Sequence, residues 1–457
     1  MDETLAVDAL AVDVLAPPIA PAPPTITGLK HRYILLLLLG AYTLSFLDRQ
    51  VVNILAESIK RDLKISNFQL GMLTGLAFAM FYTFLGIPIA RQADKRSRPL
   101  IVAGSMALWS GFTVLSGLAG SFAVMAIARL GVGFGEAGCN PCAHSMIADI
   151  TPPERRGSAL AFYSLGVPIG TILGLVLGGG VADAFGWRMA FMVAGAPGLV
   201  LAGVIALTVR EPRSHLAAHV AARALAARSL AHTLRELRSK RTFWLMAIAA
   251  GMTAFVGYGH ASFATPFFLR VHGPEVTAIA RHFGLGPLVF LGVAQALTTG
   301  VGALIGTWVG GWLADKAAAR DKRAYMSIPA VACLAIVPFI YFIYTVQSSV
   351  LALGLGLFPA LLGTLWYGPV YATGQGVVSQ QSRATTAAIL LFVLNMIGLG
   401  FGPMCVGALN DLLAGPPFGL GQAEGVRWAL IISGMAFILA AALFWWGRNT
   451  VREDIIS

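Results

Sequence analysis

Four ionisable residues stand where charge is expensive. Asp48 and Arg49 are neighbours in "SFLDRQVVNIL", and Arg129 and Glu136 share the stretch "RLGVGFGEAG", both within long apolar runs. A charge at the centre of a bilayer costs about 2.5–3.5 kcal/mol on insertion scales, so four of them call for a function. On a helix, Arg129 and Glu136 lie on one face about 10 Å apart along the axis, while Asp48 and Arg49 point about 100° apart. Neither couple can pair within its own helix. The spacing therefore predicts pairing across helices, with the two runs facing one polar space. A carboxylate whose hydration and arginine contacts change there can take up and release a proton. Asp48 and Glu136 are the proton-coupling candidates, tuned by Arg49 and Arg129. Arg49 also suits an anionic headgroup, because a guanidinium meets phosphate through two parallel hydrogen bonds.

The elements that must position these residues follow from composition. The chain has 457 residues, 57% hydrophobic and only 12% charged, against about 25% charged in soluble domains. Twelve apolar runs approach the roughly 20 residues needed to cross a bilayer. In lipid every backbone polar group needs an internal partner, so the expected class is an all-α membrane protein of twelve transmembrane helices. Residues 1–29, with the proline cluster "APPIAPAPPT", read as a disordered tail. A first six-helix half covers 30–209 and a second covers 242–447. Between them, 210–241 is polar and basic and suggests an amphipathic helix on the membrane surface. A short tail, 448–457, follows.

When loops are assigned to alternate sides, most of the 32 Lys and Arg fall on the side of the two termini. The positive-inside rule then puts both termini in the cytoplasm and the protein in the plasma (inner) membrane. The net charge of +11 is accounted for by these loops, and no nucleic-acid partner is expected.

The halves look duplicated. Ala-Asp-Lys occurs at 93–95 and again at 314–316, after equivalent helices, and "ERRGSA" faces "QSRATTA" with Arg156 and Arg383 in register. Paired halves joined by a polar linker are the signature of a duplicated transporter.

With these features in view, the chain resembles the major facilitator superfamily over residues 30–450. "ARQADKRSR" is similar to that family's loop motif Gly-x-x-x-Asp-Arg-x-x-Arg, with Ala90 for the first glycine and Lys95 for the arginine. The resemblance implies two pseudo-symmetric six-helix halves and gives Asp94, Lys95 and Arg98 a gating role. The repeat extends that role to Arg156, Asp315 and Arg383. "RLGVGFGEAGCNP", "ITPPERRGSALAFY", "LWYGPVYATGQGVV" and "ATTAAILLFVLNMIGLGFGP" resemble the spinster-like group. That likeness implies a monomeric secondary transporter that moves a lysophospholipid or sphingoid phosphate by alternating access, coupled to protons. A proton-coupled carrier of small organic anions, sugars or drugs fits the same features.

The second half has no acid at mid-membrane. Its binding candidates are Tyr258 and His260, Thr298 with Thr299, Tyr367, Tyr371 and Asn395. A space charged on one side and aromatic on the other suits an amphipathic, lipid-like substrate. Other motifs carry less. "CNPC" lacks the strand–helix context of a redox pair, and four cysteines without a second pair give no zinc site. No catalytic constellation appears, so neither an enzyme nor a cofactor is expected. Gly133-x-Gly135-x-x-Gly138 has dinucleotide spacing but follows no strand. Its glycines instead predict close helix packing.

Overall fold

The computed structural model describes residues 28–152, 155–212, 230–379 and 382–455, without the side chains of 87, 90, 91, 93–95, 230 and 384. The expected disordered tail lies outside these residues, as does most of the expected linker helix.

Among the described residues, twelve helices are long and apolar enough to cross a membrane. They are labelled α1 Leu29–Ile54, α2 Asn67–Gly86, α3 Arg98–Gly117, α4 Phe122–Ile150, α5 Arg156–Phe185 and α6 Trp187–Thr208 in the first half. The second half holds α7 Arg241–Val271, α8 Pro287–Ala318, α9 Ala324–Thr345, α10 Ser349–Gly376, α11 Thr385–Ala414 and α12 Gly421–Asp454. α12 thus runs on to Asp454, into the stretch read as a tail. Of the linker, Leu230–Arg238 is helical.

Packing repeats between the halves. α1 lies on α5 as α7 lies on α11, α3 on α6 as α9 on α12, and α2 on α4 as α8 on α10. In lipid, helices gain little from hiding apolar surface from one another, so close backbone approach carries the association. Gly170 and Gly174 of α5 show the device. A Cβ on Gly170 would strike the Thr43 carbonyl, and one on Gly174 would sit 2.6 Å from the Leu47 carbonyl oxygen. These glycines seat α1 at the level of Asp48 and Arg49.

The "RLGVGFGEAG" glycines do the same for α4. A Cβ on Gly133 would meet the Phe78 carbonyl of α2, and one on Gly135 would lie 2.6 Å from the Trp109 amide of α3. The α4 hydrogen-bond ladder breaks just after Glu136 and resumes at Cys139.

The halves meet along α2–α11, α5–α8 and α1–α7. Bonds between them gather at the end remote from the termini, called the far end. There Arg270 at the end of α7 pairs with Glu57, in the helix Ala56–Leu63 that follows α1, at 2.6 Å.

Candidate functional site

Asp48, Arg49, Arg129 and Glu136 come together as two crossed ion pairs between α1 and α4. Arg129 Nη1 donates to Asp48 Oδ2 at 2.9 Å. Arg49 donates to Glu136 Oε2 through Nε at 3.0 Å and Nη2 at 2.6 Å. Asp48, Arg129 and Glu136 are each 2% exposed. Charges this deep are tolerable only when paired and hydrogen-bonded. The α1–α4 pairing expected from helix spacing is present.

The partners of the two carboxylates differ. Asp48 engages both oxygens, because Thr113 of α3 donates to Oδ1 at 2.7 Å. Glu136 loads one. Ser45 Oγ joins Arg49 on Oε2 at 2.8 Å, while Oε1 is buried with no hydrogen-bond partner among the described residues. Asp48 is held on both sides; Glu136 keeps one oxygen in reserve.

Arg49 is caged by aromatic rings. Its guanidinium carbon lies 4.7 Å from the Phe78 and Tyr82 ring centres and 5.0 Å from that of Phe46. Such faces attract a cation where water is scarce. Tyr82 is further tied through Asn140 to Tyr163, which stacks on Tyr42 at 4.5 Å.

From the second half, Tyr258 and Tyr371 lie near enough to Tyr82 to interact electrostatically, and Tyr258 does so with Arg49 as well. Tyr367 interacts in the same way with Tyr258, Tyr371 and Tyr42. Of the expected aromatic candidates, Tyr258 therefore lies near Arg49, while Tyr367 and Tyr371 group with it and with Tyr42 and Tyr82. Tyr42 and Tyr82, on α1 and α2, complete the tyrosine ring and had no signal in the sequence. Ser45 and Phe46 could have been found from their helical spacing to Arg49; Thr113 could not.

The other candidates sit elsewhere. His260, two residues beyond Tyr258, faces the opposite side of α7. It bonds Tyr344 of α9 at 3.0 Å and Ser433 of α12 at 3.2 Å. Thr298 and Thr299 return their hydroxyls to the Ala294 and Gln295 carbonyls of their own helix. Asn395 opens a π-helical turn in α11.

Of the gating candidates, Arg98 is 1% exposed and binds three partners. It pairs with Asp149 at 2.6 Å and Glu211 at 2.7 Å, and donates to Ser145 at 2.8 Å. It ties α3 to α4 and to Glu211 at the start of the linker after α6. Asp94 and Lys95 end a helix, but their side chains lie outside the described set. Arg156 donates to the Thr151 carbonyl. Asp315 and Arg383 are exposed. No group of three potential metal ligands occurs among the described residues.

Comparison with known proteins agrees with this architecture. Residues 38–403 match the model of the Major Facilitator Superfamily. A crystal structure of a bacterial homologue of the human lysosomal transporter Spinster, inward-facing and unoccupied, superposes with a TM-score of 0.82 at 30% identity, covering 94% of this chain and 100% of that one. An MFS-type efflux pump of Mycolicibacterium smegmatis is 33% identical over 91% of this chain and 92% of its own. Protein spinster homolog 1 of Xenopus tropicalis is 26% identical over 92% and 82%. The chain belongs to the Major Facilitator Superfamily of membrane transporters, among its spinster-like members.

Proposed function

We propose that this transporter carries an amphipathic, anionic lipid-like substrate, a lysophospholipid or sphingoid phosphate, in exchange with or alongside protons bound at Glu136. The reading rests on one observation above all: Arg49 is paired with a carboxylate whose other oxygen is buried without a hydrogen-bond partner among the described residues, inside a cage of Phe46, Phe78 and Tyr82 with Tyr258 of the second half nearby. Protonating Oε1 of Glu136 neutralises the partner of Arg49. The guanidinium is then available to a phosphate, and the surrounding tyrosines and phenylalanines accept the adjoining alkyl chain. Substrate and proton thus act on one ion pair, which is the minimum that coupling requires. Asp48 and Arg129 brace the pair from the neighbouring turns.

In this reading both termini are cytoplasmic in the plasma membrane, on the strength of the basic loops. The far end then faces outward, and the bonds gathered there describe a state closed to the outside.

The M. smegmatis relative's description as an efflux pump favours a second reading, outward movement of other amphipathic compounds. One assay separates the two. Purified protein in liposomes is given an imposed pH gradient and a radiolabelled lysophospholipid, with a sphingoid phosphate, organic acids, sugars and a cationic amphiphile as competitors. Competition by the phosphate-bearing lipids supports the proposal. Competition by the others alone overturns the substrate assignment, and transport indifferent to the gradient overturns the coupling.

A further inference from the structure

Asp183 of α5 and Asp411 of α11 play no part in the central site, yet each reaches across the divide between the halves. Asp183 accepts the Leu288 amide on Oδ1 at 3.4 Å and the Val289 amide on Oδ2 at 2.8 Å, in the first turn of α8. Asp411 accepts the Asn67 amide on Oδ1 at 3.0 Å and the Phe68 amide on Oδ2 at 2.7 Å, in the first turn of α2. Each carboxylate takes two consecutive backbone amides, one per oxygen, from a helix start in the other half, and Asp411 Oδ1 also accepts the Asn67 side-chain amide at 2.7 Å.

The two sites are copies. Leu175, Gly179 and Asp183 stand at the same spacing as Pro403, Gly407 and Asp411. Asn67 and Gly71 are displaced from Leu288 and Gly292 by the offset that separates Asp94 from Asp315. The contacts correspond one for one. A Cβ on Gly179 would meet the Leu288 carbonyl oxygen, and one on Gly407 that of Asn67. A Cβ on Gly292 would meet the Leu175 carbonyl, and one on Gly71 that of Pro403. Bare backbone on both sides lets each aspartate reach its amides.

The energetics distinguish docked from undocked. Amides in a first helical turn lack partners within their own helix, and the helix start carries partial positive charge. Each aspartate also lies in the last turns of its own helix, where the dipole disfavours an anion. Docking therefore satisfies two orphan amides and relieves a misplaced charge at once. Separation of the halves at the far end loses both gains.

We propose that Asp183 and Asp411 form a two-point, pseudo-twofold latch that holds the far end shut and must release at both seams for the far end to open. The latch depends on the family's alternating access but not on the role of Glu136, since its readout is a distance rather than transport.

The test uses full-length protein in nanodiscs with Cys405→Ser, carrying spin-label pairs at Lys64 and Phe418 across α2–α11 and at Phe185 and Phe283 across α5–α8. Asp183→Asn and Asp411→Asn are each expected to raise the open-to-closed ratio about 5- to 30-fold, the range of a lost cap interaction. Their combination should multiply the two effects, because both bias one equilibrium. Gly407→Ala keeps the carboxylate but wedges its seam, and should open the same end. Asp321→Asn, which breaks a pair with Arg452 inside the second half, should leave both distances unchanged. The latch is refuted if the double aspartate variant keeps the parent distances, or if either seam opens while the other stays closed.

Discussion

Arg49 and Glu136 meet through a single carboxylate oxygen: Nε at 3.0 Å and Nη2 at 2.6 Å both donate to Oε2. The bond is lopsided, since a carboxylate can accept a guanidinium on both oxygens. Oε1 stays buried and unpartnered among the described residues, which makes it the position where a proton can sit without breaking a bond already made. Asp48 has no such vacancy, with Thr113 on one oxygen and Arg129 on the other. The two acids, equivalent by sequence, are unequal in the fold.

Glu136→Gln keeps the shape of the side chain but removes the titrating group. Accumulation driven by a pH gradient should fall to the equilibrium level, while exchange of labelled for unlabelled substrate persists. Parallel flux assays in liposomes decide this; gradient-driven accumulation at the parental level would reject Glu136 as the proton site.

Arg49→Lys should weaken phosphate-bearing substrates more than neutral ones. A lysine keeps the charge but cannot offer two parallel donors. Binding isotherms for a lysophosphatidic acid and a neutral lysolipid measure the difference, expected near tenfold; equal losses would argue against a phosphate contact.

Asp48→Asn leaves Arg129 buried beside a neutral partner and should cost about 3–5 kcal/mol, the usual penalty for breaking a buried pair. Removing both charges, as Asp48→Asn with Arg129→Gln, should recover much of that loss. Melting temperatures in one detergent supply the double-mutant cycle. Additive losses would mean that the 2.9 Å pair contributes nothing of its own.

Gly135→Ala places a methyl 2.6 Å from the Trp109 amide nitrogen. Overpacking of this kind costs about 1–3 kcal/mol. Gly104→Ala on α3, with nothing within 4 Å of the new methyl, should instead gain up to about 1 kcal/mol from helix propensity. Opposite shifts in melting temperature are expected.

Glu236 docks the linker helix Leu230–Arg238 onto the loop before α11. Burial pushes its carboxyl up, but hydrogen bonds from Ser382 Oγ at 2.7 Å and from the Ser379 amide at 2.7 Å prevail and hold it below the ordinary glutamate value. A depressed value means that docking is favoured above about pH 4.3, the unfolded reference, and is lost as pH falls through the folded one. Hydrogen exchange at 230–238, corrected for intrinsic rates, should rise on acidification. In Glu236→Gln it should be raised already at pH 7 and show no such titration; a variant matching the parent would show that the contact does not hold the helix.

Much of this architecture was legible in the sequence. Twelve apolar runs, paired halves and the α1–α4 charge constellation follow from hydropathy, helical geometry and the expense of charge in lipid, all local or periodic properties of the chain. The glycines of "RLGVGFGEAG" likewise announced close packing once no strand preceded them. Tertiary structure decided which arginine meets which acid, because a one-residue step on α1 turns the side chain by about 100° and only the seating of α1 on α5 selects the partner. It also divided the polar candidates, sending Tyr258 toward Arg49 and His260 toward Tyr344 and Ser433. Above all it raised Asp183 and Asp411 from unremarked residues at helix ends to the bonds between halves. Their partners are backbone amides, which every sequence contains and none advertises.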